Sequence, residues 1–238
     1  MPAVETDTRP GAPKLVAPRW HTALLVAVFL AFTVAGVFFQ KAALRDPSAV
    51  RPPTLVPLYL SMLALEWGLL YFVWKGGLRR SGTTLRELIG GRWTGIKDPL
   101  VDVALGGGLW ALWKAAETGA DRLLGEGHAA SIEPLLPRRP VEIALWVLLS
   151  LSAGICEEVV FRGYFQRQFE VLARHRWAGL VLQALLFGVA HGYQGVLACS
   201  KIAVLGAAYG GLAIWRRSLR PGMIAHAGTD VLGGIFGI

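Results

Sequence analysis

The sequence predicts an all-α, polytopic transmembrane bundle of about seven to eight helices. Three observations carry this. Of 238 residues, 54% are hydrophobic and only 17% are charged, whereas soluble domains carry roughly a quarter charged residues. Apolar stretches approaching the ~20 residues needed to cross a bilayer recur along the chain. The prolines and basic residues fall mainly in the connectors between them.

Residues 1–20 are polar and proline-containing and read as a disordered cytoplasmic tail. Residues 21–39 form a first span, too long and without the small-residue cleavage site of a removable leader. Pro52 and Pro53 close a polar loop, and residues 54–74 form a second span with Glu66 inside it. The basic segment 75–97 contains a short interfacial helix over 85–93, before Gly95. A third span, 99–113, is weakened by Asp102 and by Gly106, Gly107 and Gly108. Residues 117–140, with Pro134, Pro137 and Pro140, read as a polar loop. Four further spans follow at 141–160, 177–190, 196–215 and 221–238. The chain thus divides into the tail (1–20), N-terminal helices with their polar loop (21–140) and a C-terminal group of helices (141–238). It has no internal repeat.

The net charge is +8, but the basic residues sit in connectors, so topology and anionic headgroups account for them and no nucleic-acid partner is expected. Fifteen Lys and Arg fall on the side of the N-terminus, six on the other, and three (Lys114, Arg162 and Lys201) in or beside spans. The positive-inside rule then puts the N-terminus in the cytoplasm. The richness in Ala, Gly, Leu and Arg points to a bacterial inner membrane. Cys156 and Cys199 lie in apolar segments and read as small buried hydrophobes, not a disulfide framework.

Ionisable side chains at membrane depth are costly and mark function by default. Three groups fall in the last 90 residues. Glu157 and Glu158 precede Arg162, and the four-residue spacing of Glu158 and Arg162 allows an ion pair that eases burial. Glu157 points about 100° away and keeps no partner in its own helix, as a general base requires. Phe187 precedes His191 by four, as His226 precedes Asp230, with Thr229 beside the latter. His226 and Asp230 share a helix face and could bond each other, bind a metal or face a developing oxyanion. Together these groups fit an activated-water site or a zinc site.

Glu157-Glu158…Arg162, Phe187…His191 and His226…Asp230, in this order on successive apolar helices, resemble the EExxxR, FxxxH and HxxxN/D motifs of the CPBP intramembrane proteases. That family includes CAAX prenyl endopeptidases, bacteriocin-processing Abi proteins and sorting-signal proteases of the myxosortase kind. The resemblance covers about residues 141–238. It implies an intramembrane endopeptidase in which Glu157 is the general base and His191 its partner in activating water. His226 and Asp230 would line the oxyanion side, Glu158 and Arg162 would support them, and Phe187 would pack beside the site. Where many members have Asn, this chain has Asp230. An ionised Asp cannot donate, so it would be protonated, orient His226 or bind metal. Zinc on Glu157, His191, His226 and Asp230 is compatible in number and type; a metal-free glutamate mechanism is the other option. The implied partners are membrane lipids and a membrane-associated or C-terminally anchored protein or peptide.

Two other readings use the same residues. A transporter would string Glu66, Asp102, Glu157 and Lys201 into a polar path, and a scaffold or immunity protein would keep the fold without the chemistry. Counted along their own spans, Glu157 lies 16 residues into the fourth and His191 14 into the fifth, a depth mismatch of roughly 10–15 Å in plain antiparallel helices. A shared site needs the fourth helix to run on through 164–172, or the fifth to extend beyond His191.

Overall fold

The computed structural model describes residues 14–45, 54–124 and 133–236, which are helical almost throughout and joined by short turns. Helix α1 is Arg19–Arg45. Helix α2, Val56–Phe72, runs on through a π turn, Val73–Gly77, and a 3-10 turn, Leu78–Ser81. Helix α3, Leu85–Ile89, starts on a capping box between Thr84 and Glu87 and stops at Gly90, whose φ of +63° suits a residue without Cβ. Then come α4, Lys97–Leu124, and α5, Pro140–Glu157. A π segment, Glu158–Phe165, carries α5 without a break into α6, Gln166–Ala173. Helices α7, Arg176–Ala190, α8, Val196–Arg216, and α9, Arg220–Phe236, complete the described chain.

Among the described residues, four helical stretches are long and apolar enough to cross a membrane: Arg19–Phe38, Val56–Ser81, Pro140–Ala173 and Val196–Arg216. Helix α7 is apolar but shorter. The outward faces carry exposed Phe32, Leu65, Trp67, Leu148 and Val204, an apolar surface suited to lipid. The predicted all-α membrane bundle is therefore what the chain forms.

Several boundaries differ from the sequence reading. Residues 1–13 of the predicted tail lie outside the described residues, but its end is docked: Val16 and Ala17 donate their backbone N–H to Gln168 Oε1 at 3.0 and 3.2 Å, and Gln168 returns a bond to the Ala17 carbonyl. The third span is longer than predicted. Helix α4 continues from Trp113 to Leu124, because the Ala- and Leu-rich run that follows favours helix despite its charges. The interfacial helix is shorter, being cut at Gly90.

The fourth helix also runs further than its apolar stretch, to Ala173, and this removes the depth mismatch. Glu157 lies 16 residues before Ala173 and His191 lies 15 after Arg176. Both are thus roughly 23 Å from the same α6–α7 turn.

The bundle has two distinct ends. At one, Leu219 donates to the Ile89 carbonyl, Arg220 to Gly90, and Arg167 to Glu87 and Leu88. At the other, Glu142 accepts from the backbone N–H of Leu55, Arg138 and Arg139. There also Tyr59 donates to the Leu135 carbonyl and Thr33 to Val189. Between them, α5 packs on α9 and α2, α7 on α6 and α8, and α4 on α9. Gly154 allows the α5–α9 approach: a Cβ there would sit 2.8 Å from the Met223 carbonyl and 2.9 Å from Ala227 Cβ.

Candidate active site

The π segment buries all eight of its residues, Glu158 and Arg162 included. Such widened turns occur mostly at functional positions. Arg162 Nη1 stands 3.0 Å from Glu158 Oε1, with neither side chain reached by solvent. The guanidinium also lies over two rings, 4.1 Å from the centroid of Phe187 and 5.3 Å from that of Tyr209. An aromatic cage of this kind attracts a desolvated cation. Gly222 leaves room for the carboxylate, since a Cβ there would come within 2.9 Å of Glu158 Oε2.

Glu158 does a second job across the helix interface. Its Oε1 is 3.0 Å from His226 Nδ1. A carboxylate paired with a guanidinium only accepts, so Nδ1–H donates to it. His226 thereby presents Nε2 to the cavity, 3.8 Å from Glu157 Oε2 and 3.6 Å from Asp230 Oδ2. Both separations exceed hydrogen-bond length, so neither carboxylate saturates this nitrogen. The bonded His226–Asp230 pair is thus replaced by a looser contact, and the firm bond of His226 goes to Glu158.

Glu157 points away from Glu158, as its spacing predicts. Its side chain is 26% exposed, and its buried Oε2 has no hydrogen-bond partner. His191, the residue that ends α7, donates Nδ1–H to the Phe187 carbonyl at 2.8 Å. Its Nε2 is then the nitrogen with a lone pair to offer. Phe187 packs edge-on to both His191 and His226, with centroids 4.9 and 5.9 Å away. It does more than flank the site: it separates the cavity from the caged Arg162.

Glu157, His191, His226 and Asp230 line one cavity of about 650 Å³. The motif residues are therefore brought together from α5, α7 and α9. Sequence reasoning missed Tyr209, Trp146 and Ser152, and did not join Glu66 to the motif residues. Tyr209 stacks on His226 at 5.6 Å. Its hydroxyl donates to Thr229 Oγ1 at 3.3 Å, because Thr229 is already donating to the Ala225 carbonyl. Trp146 Nε1 holds the Asp230 carbonyl at 2.9 Å. Ser152 donates to Glu66, which brings a third helix's carboxylate into the cavity. Only Glu66 carried a sequence signal, as a lone charge inside a span.

The linked polar path of the transporter reading does not form. Glu66, Glu157 and Lys201 line the cavity, but Asp102 is held elsewhere by Arg216 at 3.0 Å and Trp93 at 2.9 Å. Lys201 and Lys114 instead share Glu117, at 3.5 and 2.6 Å. Among the described residues, no three His, Cys, Asp or Glu side chains come together in a way that could hold a metal ion. The zinc set read from the sequence does not fit this arrangement, and no step is assigned to a metal.

Residues 139–232 match the family model described as type II CAAX prenyl endopeptidase Rce1-like. That segment, which carries all three motifs, is thus similar to the CAAX proteases. The match starts just before α5 and ends within α9, so it contains Glu157, Glu158, Arg162, Phe187, His191, His226 and Asp230. No curated protein and no solved structure matches the chain. The match implies protease activity in general terms, within a multi-pass membrane protein. Glu66, Lys114 and Glu117, which also line the cavity, lie outside the matched segment.

Proposed function

We propose that the protein is an intramembrane endopeptidase that hydrolyses a peptide bond of a membrane-associated or C-terminally anchored protein, using water activated by Glu157 and His191. The observation that carries this reading is the division of labour between the adjacent glutamates. Glu158 is sealed from solvent with its Oε1 spent on Arg162 and His226, while Glu157 is partly exposed, lines the cavity and keeps an oxygen with no hydrogen-bond partner. A carboxylate with no competing donor at membrane depth is suited to take a proton from water.

In the first step Glu157 removes a proton from the water and His191 Nε2 accepts a hydrogen bond from it. The hydroxide oxygen bonds to the scissile carbonyl carbon, and the carbonyl oxygen gains negative charge. His226, as imidazolium, donates Nδ1–H to Glu158 and offers Nε2–H to that oxyanion. Asp230 serves by orienting Nε2–H, since an ionised carboxylate only accepts. The C–N bond then breaks, and the proton held on Glu157 passes to the leaving amine. Helix α2 packs on α5 and α4 on α9, and both contribute to the cavity wall. A membrane-embedded peptide could reach the site between them.

The test is to reconstitute the purified protein in liposomes with a library of transmembrane peptides and identify products by mass spectrometry. Wild type is expected to release discrete fragments, and His191→Ala and His226→Ala none. Cleavage at the wild-type rate by both variants would overturn the mechanism.

A further inference from the structure

The cavity lies toward one end of the bundle, and that end is identifiable. It is lined by the first half of α2 (Leu58 to Glu66), the second half of α4 (Trp113 to Glu117), the first half of the long α5–α6 helix (Trp146 to Glu157) and the second half of α9 (His226 to Gly234). Leu135 and Leu136 before α5, and Tyr193 and Gln194 between α7 and α8, complete it. All of these belong to the end at which Glu142 ties Leu55 to α5.

The opposite end is closed beneath the site. Glu158 and Arg162 are inaccessible to solvent. Below them, Leu88 and Leu219 are buried and would press on any Cβ at Gly163, with contacts of 3.1 Å. Leu219 is bonded through its backbone to Ile89, which locks α3 across this floor.

The two ends differ in charge. Among the described residues, fourteen Lys and Arg lie toward the closed end, as Lys14, Arg19 and the connectors from Lys75 to Lys97, Arg167 to Arg176 and Arg216 to Arg220, against five toward the cavity end. Such a bias places the closed end in the cytoplasm. Measured along α9, His226 lies ten residues from Phe236, about 15 Å below the opposite end.

We propose that the active-site cavity opens on the non-cytoplasmic face of the membrane. Given the peptidase reading above, its substrate class is then the membrane-embedded segment of an exported protein, presented from outside. A substrate anchored at the cytoplasmic surface would meet the sealed floor of Leu88 and Leu219.

Two measurements test this separately. In the first, Val196→Cys, an exposed position at the cavity end, and Arg86→Cys, an exposed position on α3, are treated with a membrane-impermeant maleimide in right-side-out and inside-out vesicles. The unsubstituted protein, with Cys156 buried and Cys199 half-buried, sets the background. Labelling of Val196→Cys only in right-side-out vesicles and Arg86→Cys only in inside-out vesicles is expected. The reverse pattern, or labelling of both from one side, overturns the proposal.

In the second, two reporters carry the same hydrophobic segment, one on an exported domain and one on a cytoplasmic domain. Cutting of the exported reporter alone is expected, and cutting of the cytoplasmic one refutes the proposal. The expected labelling with neither reporter cut refutes the peptidase reading and the substrate class with it, and leaves the orientation standing.

Discussion

Replacing Glu158 by leucine and Arg162 by methionine separates two jobs that Glu158 does at once. Alone, Glu158→Leu leaves the Arg162 guanidinium with no counter-charge at a place solvent does not reach. Breaking a buried pair this way costs about 3–5 kcal/mol. Ring contacts at 4.1 and 5.3 Å remain, but each is worth only about 2 kcal/mol even when desolvated. For a chain of this size the expected fall in Tm is roughly 6–20 °C. The double substitution removes both charges with side chains of similar bulk, so stability is expected to return close to that of wild type. Activity is not, because His226 Nδ1 has lost its acceptor. Loss of an oriented catalytic imidazole costs about 10²- to 10⁴-fold. Thermal unfolding in detergent read beside peptide cleavage makes the comparison. A double variant that folds and cleaves at the wild-type rate would refute the positioning role of Glu158.

Three other outcomes follow from the same geometry. Glu66→Gln keeps a partner for Ser152 and is expected to fold normally while slowing cleavage about tenfold, through the lost carboxylate; an unchanged rate would make Glu66 a purely structural cavity residue. Tyr209→Phe, which keeps the ring stacked on His226, is expected to cleave within about fivefold of wild type, and Tyr209→Ala to lose both stability and activity, since a large aromatic truncation costs about 3–5 kcal/mol; melting and cleavage assays read both. Protein stripped of divalent metal by a chelator is expected to keep its cleavage rate, whereas a loss restored by zinc would assign water activation to a metal.

The helices and the three motifs were legible because both are written in cost. Twenty apolar residues have few alternatives to a bilayer, and a Glu, His or Asp among them needs a reason to be there. Glu157, His191, His226 and Asp230 announced themselves this way. The partnerships were less legible. Glu158 was read as an ion pair with Arg162, which is local in sequence, but its bond to His226 spans 68 positions and depends on how α5 and α9 turn against each other. The π segment at Glu158–Phe165 leaves no periodicity signal, since its residues are apolar on every face apart from Glu158 and Arg162. Tyr209 and Trp146 looked like ordinary core aromatics, and only the packing shows one against the His226 ring and the other on the Asp230 backbone. The extent of α4 and α6 was misjudged for one reason: both continue as helix after their hydrophobicity ends, where propensity and packing sustain them.

The most direct test of Glu157 as the group that activates water is the cleavage rate of Glu157→Gln in liposomes, measured beside wild type on one identified substrate peptide. Glutamine fills the same space and cannot take the proton, so a folded protein with cleavage reduced at least about 10²-fold is expected. Cleavage at the wild-type rate would contradict it.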